Sequence, residues 1–200
     1  MTAQPFPRRP RSAIVRFAWI FYLPMIATAF LAREPGTFRI ADWPRFAEGM
    51  GVAGAGIVAV VLASRWVSRR TGWGRRLHAE FADVLGGLDS RQILALALLS
   101  AFGEEILFRG VVQPWLGLWI TTALFGIFHF PARRSLIPWS FFAALLGLAL
   151  GALVLRSGSL WPAVLLHFGI NYFNLHDLAQ GPEPARITDE TKPKVGPSAE

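Results

Sequence analysis

Apolar residues in this chain come in long blocks, without the strict alternation of strands or the single stripe of a surface helix. The blocks run Ala13 to Ala32, Ala47 to Val67, Arg91 to Val112, Leu116 to Phe130, Leu136 to Leu155 and Leu160 to Leu175. The longer ones reach the roughly 20 residues that cross a hydrocarbon layer about 30 Å thick. Turn-forming residues separate them: Pro35, Gly36 and Pro44, then Pro114, Pro131 and the run Arg156-Ser157-Gly158-Ser159. The pattern predicts an all-α, polytopic membrane helical bundle of about six transmembrane helices. Asp89-Ser90 is placed to cap the third.

The first block could be read as a signal peptide, but it is long, carries Pro24 and lacks a small-residue cleavage site, so a retained helix is expected. The organisation is then a disordered cytoplasmic N-terminus over 1–12 and two helices with a basic cytoplasmic loop over 13–89. A core over 90–178 and a disordered tail over 179–200 complete it. Within the loop, an amphipathic piece is expected around Leu77–Leu88. Gly49-x-Gly51-x-x-Gly54 matches a dinucleotide fingerprint only literally. No strand precedes it, and small residues that let a neighbouring helix approach explain it better. Gly147-x-x-x-Gly151 reads the same way. The eight Trp residues fall mostly near block ends, as interface anchors.

Composition agrees: 53% of residues are hydrophobic, 16% are charged, and mean hydropathy is +0.40. With no cysteine, disulfides, thiolate metal sites and cysteine nucleophiles are excluded. The net charge of +7 does not point to nucleic acid, because the arginines cluster in the gaps between apolar blocks. On one side fall Arg8, Arg9, Arg11, Arg16, Arg65, Arg69, Arg70, Arg75, Arg76, Arg133 and Arg134. On the other fall Arg33, Arg39, Arg45 and Arg156. That asymmetry predicts a multi-pass protein of the cell inner membrane with both termini in the cytoplasm and membrane lipid as its surroundings.

Against this background the charges inside the third block stand out: Glu104, Glu105 and Arg109. A charge at the bilayer centre costs about 2.5–3.5 kcal/mol on insertion scales. Glu105 and Arg109 are helix neighbours in the favoured order and read as a structural ion pair. Glu104 points about 100° away and has no partner within its helix. Two further pairs at spacing four follow, Phe125 with His129 and His167 with Asn171. Three helices can thus bring a carboxylate, two imidazoles and an amide together. Such a group can deprotonate a water with or without a divalent metal such as zinc, for which Glu104, His129 and His167 are the candidate ligands. Amide and imidazole can stabilise an oxyanion. Neither H-E-x-x-H nor G-x-S-x-G is present. Singly, each residue also fits a packing role: His129 an interfacial one, Asn171 interhelical glue.

Glu-Glu-x-x-x-Arg, Phe-x-x-x-His and His-x-x-x-Asn, in this order on successive helices, resemble the CPBP family, which includes type II CAAX prenyl endopeptidases and the bacterial Abi-like proteins. The resemblance covers residues 90–176. It implies an intramembrane endopeptidase, of metallo- or glutamate type, acting on a membrane-associated protein or peptide such as one bearing a C-terminal sorting tail. By position, Glu104 and His129 would activate water, His167 and Asn171 would stabilise the oxyanion, and Glu105 with Arg109 would support them. A non-catalytic scaffold or immunity protein of the same fold is one alternative. A proton-coupled transporter is the other, since Glu and His at membrane depth also make proton relays.

Overall fold

A computed structural model describes residues 11–130 and 137–180. The expected disorder of the N-terminus (up to residue 10), Arg133-Arg134, and the tail from 181 onward lie outside the described residues. Every element is helical: α1 (Arg11–Ala32), α2 (Trp43–Arg70), α3 (Gly72–Leu85), α4 (Ser90–Glu105), a π-helical segment (Ile106–Val112), α5 (Gln113–Phe128), α6 (Ile137–Ser157) and α7 (Trp161–Ala179). Among the described residues, four runs are long and apolar enough to cross a membrane: 12–32, 43–70, 90–128 and 137–157. In α7, His167, Asn171, Asn174, His176 and Asp177 lower the hydropathy. Large side chains such as Ile20, Leu31, Trp115, Trp119 and Phe128 are exposed around the outside, as a lipid-facing surface requires.

Local chemistry sets the boundaries. Asp42 caps α2, accepting from the Arg45 amide, with Pro44 in the first turn. Asp89 and Gln92 form a reciprocal capping box at the start of α4. The stretch expected as a basic loop is instead helical on both sides of Thr71. That residue ends α2, and its hydroxyl accepts from the Gly74 amide to begin α3. Arg69 and Arg70 therefore sit in the last turn of α2. At the other end of the chain, α7 continues to Ala179, one turn past the expected Leu175.

The third and fourth blocks were expected to part at Pro114. The break falls at Gly117, with φ 75° and ψ 172°, a region open almost only to glycine. Pro114 lies in the first turn of α5, where its missing N–H costs little. The chain folds back at Gly117, since Phe108 meets Phe125 and Phe128 edge to face at 4.9 and 5.8 Å.

Packing then closes the bundle. α5 lies against α6, α2 and α4 against α7, and α1 against α4 and the π segment. One buried cluster joins Ala53 of α2 to Leu150, Leu153, Ala163, Leu166 and Ile170. A second joins Ala29 to Ile106 and Leu160. In the expected small-residue face of α2, Gly49 is close to Ser157 and Pro162, whereas Gly51 and Gly54 have open space beside them. Gly147 and Gly151 do form a close-packed face, against Phe125 and Arg109 and against Gln113 and Leu118.

The turn at Gly117 gives a direct test. Gly117→Ala should cost about 1–3 kcal/mol, because any Cβ is strained at that backbone conformation. Gly51→Ala, on an open helix face, should be neutral or stabilising by up to about 1 kcal/mol. Thermal unfolding of both variants in detergent, beside the wild type, checks the contrast.

Candidate active site

The polar side chains meet where α4, the π segment, α5, α6 and α7 converge. Arg109 is fully buried and donates from Nη1 to Glu105 Oε1 at 3.2 Å and from Nη2 to the Gly147 carbonyl at 2.8 Å. Its guanidinium also lies 4.4 Å from the centre of the Phe125 ring, a favourable cation–π distance. One turn on, Gln113 Nε2 donates to the Gly151 carbonyl at 3.1 Å. Residues 109 and 113 thus address carbonyls 147 and 151 on the facing helix. Glycine at both places lets the side chains approach that backbone. The π segment, which widens the turn as π segments at functional sites commonly do, begins immediately after Glu105.

Glu105 has a second partner from α7. Its Oε1 lies 2.8 Å from His167 Nδ1. A carboxylate there fixes the tautomer: Nδ1 carries the proton and Nε2 is turned outward. That Nε2 lies 4.0 Å from Glu104 Oε2. His129 is fixed in the same way. Its Nδ1 donates to the Phe125 carbonyl at 2.8 Å, leaving Nε2 3.5 Å from Glu104 Oε2. The His129 carbonyl accepts from Ser140 Oγ at 2.9 Å, and its ring lies 6.2 Å from Trp139.

Two acceptors therefore confront each other, a carboxylate oxygen and an imidazole nitrogen, and Glu104 Oε2 has no hydrogen-bond partner. A water donating to both satisfies them. Exposure divides the group. The side chains of Glu105 and Arg109 are 0% exposed and His167 is 4%, whereas Glu104 is 13% and His129 21%. The Glu105–Arg109–His167 set is closed, whereas the Glu104 and His129 side chains keep partial exposure, although Glu104 Oε2 itself is buried.

Five of the six residues singled out in the sequence come together. Asn171 stands a turn away, donating from Nδ2 to Ser100 Oγ at 2.9 Å. One residue was missed: Tyr22 of α1, whose hydroxyl donates to Glu104 Oε1 at 2.7 Å. A tyrosine near the middle of the first apolar block was the only signal available. Of the expected metal ligands Glu104, His129 and His167, the two imidazole Nε2 atoms lie 3.5 and 4.0 Å from Glu104 Oε2. Ligand bonds to zinc are about 2.0–2.2 Å. Among the described residues no three His, Asp or Glu side chains gather so as to hold a metal ion.

Residues 88–173 match the family model described as type II CAAX prenyl endopeptidase Rce1-like. The uncharacterized protein YpbD of Bacillus subtilis (strain 168) is 38% identical over 81 residues, 40% of this chain and 41% of that protein. The chain thus matches about two fifths of that relative's length. No solved structure matches. Every polar residue gathered from α4 to α7 falls inside the matched segment, so it is the part of the chain similar to the Rce1-like type II CAAX prenyl endopeptidases that holds the site.

Proposed function

We propose that this multi-pass membrane protein is an intramembrane endopeptidase that hydrolyses a peptide bond in a membrane-associated protein or peptide. One observation carries the reading: Glu104 Oε2 and His129 Nε2, two acceptors 3.5 Å apart, face each other at the less buried side of the polar cluster, and Oε2 has no hydrogen-bond partner. A water there donates one proton to Glu104 as its oxygen attacks the scissile carbonyl carbon. His129 accepts the second hydrogen bond and orients the water. The tetrahedral intermediate places negative charge on the former carbonyl oxygen. His167 and Asn171 are the donors assigned to it: Asn171 has a second N–H besides the one given to Ser100, and His167 donates from Nε2 when protonated. Collapse breaks the C–N bond, and Glu104 returns its proton to the leaving amine. The similarity of residues 88–173 to type II CAAX prenyl endopeptidases supports the reaction class. The arginine asymmetry supports cytoplasmic termini in the cell inner membrane.

Glu104→Gln keeps size and hydrogen-bonding shape but removes the base. The variant should insert and fold as wild type, with turnover below a tenth. A proteomic comparison of cells with either form, scored for membrane proteins whose termini change, would reveal the substrate. Retained cleavage would sink the assignment.

Arg109→Ala should behave differently. It strands Glu105 uncompensated in the bundle, and breaking one partner of a buried pair costs about 3–5 kcal/mol. Yield, melting temperature and activity should all fall. Wild-type stability with no activity would give Arg109 a direct role instead.

Chelators should leave the activity unchanged, because the chain's own side chains supply base and donors. Stoichiometric divalent metal in the purified protein, lost in His167→Ala, together with chelator-sensitive cleavage, would establish a metal-dependent route.

A further inference from the structure

Glu104 has two carboxylate oxygens, and the hydrolytic reading uses Oε2 alone. What distinguishes the two is Tyr22. Its phenol, on a stiff ring with one donor hydrogen, reaches from α1 to Glu104 Oε1 at 2.7 Å, the short distance of a charge-assisted O–H···O bond. That contact depends on a second feature. A Cβ on Gly103 would lie 2.8 Å from Met25 Cε, 2.9 Å from Tyr22 Cδ1 and 3.2 Å from Ile26 Cγ1. The residue just before Glu104 is thus the one whose missing side chain lets α1 settle against α4. Farther along, Ala29 of α1 is buried against Ile106 and Leu160, so the helix is anchored beyond the site as well. Tyr22 lies outside residues 88–173.

We propose that Tyr22 is a positioning residue for the reaction: its hydroxyl holds Glu104 Oε1 so that Oε2 stays facing His129 and His167. The inference rests on the hydrolytic reading of Glu104. A carboxyl freed to rotate about its last bond presents either oxygen to the water, and fewer encounters find the base aligned. The first helix is then part of the catalytic apparatus as well as a membrane span.

The test uses the full chain in phospholipid vesicles, with a quenched-fluorescent peptide carrying an apolar C-terminal tail. Tyr22→Phe should lower kcat about 10- to 100-fold, the range for a hydrogen bond to a charged group. KM and melting temperature should stay at wild-type values. Gly103→Ala should lower kcat similarly, and the double variant should be no worse than the worse single one, since both act on the same contact. An infrared arm needs no substrate. The Glu104 carboxylate band, identified by its loss in Glu104→Gln, should shift in Tyr22→Phe. An unshifted band with wild-type kcat would overturn the proposal, as would a lowered melting temperature with kcat unchanged, which marks a mere tie between helices. If Glu104→Gln is inactive while Tyr22→Phe cleaves normally, the inference alone fails. If Glu104→Gln cleaves normally, the hydrolytic reading fails with it.

Discussion

An arginine in the middle of an apolar bundle is tolerable only if its charge and most of its donors are met, and the centre of this protein is arranged around that demand. Arg109 is met at Nη1 by Glu105, at Nη2 by the Gly147 carbonyl and across its plane by the face of Phe125, with only Nε left without a hydrogen-bond partner among the described residues. Each partner sits on a different element. Satisfying the guanidinium therefore fixes α6 against the π segment and seats the start of the Phe125–His129 turn. Glu105, shared with His167, brings in α7. One buried pair sets the relative positions of most of the bundle, because leaving any member alone costs several kcal/mol.

The neighbouring glutamates show how sequence adjacency is turned into a division of labour. A helix sends successive side chains about 100° apart, so Glu104 and Glu105 meet different surroundings without any change of backbone. Glu105 points inward to Arg109 and His167 and is sealed. Glu104 points to a partly open place, between two imidazole nitrogens and a phenol. Both histidines have their Nδ1 committed to fixed acceptors, so both present Nε2 to Glu104.

Much of this arrangement could be read from residue spacing. Isolated charges in an apolar block are expensive, so Glu104, Glu105 and Arg109 announce themselves, and spacing four puts Glu105 beside Arg109. The fold-back between the third and fourth blocks was legible as existing but not in its place. Pro114 is the louder signal, yet proline is harmless in a first turn, and the chain turns at the quieter Gly117. The π segment has no residue signature at all. The helicity around Thr71 was hidden because arginines that look like loop residues also finish helices well. Tyr22 and Gly103 stayed illegible for a different reason. The hydrogen bond they permit joins Tyr22 to Glu104, 82 residues apart in sequence, and no local pattern reports such a contact.

The fold-back at Gly117 has a consequence for hydration. The limb from Ser90 to Gly117 is about 40 Å long, but the return limb to Phe128 is only about 16 Å, at roughly 1.5 Å per residue. The return helix therefore stops partway back, level with Glu104, which lies midway along the longer limb. A helix end deep in a hydrocarbon layer exposes carbonyls that lipid cannot solvate. Here the side chains of His129 and Ser140 cover two of them. A short helix of this kind leaves polar backbone and side-chain groups level with Glu104 instead of at the far end of the bundle, and hydrolysis needs polar surroundings there, because its second reactant is insoluble in oil.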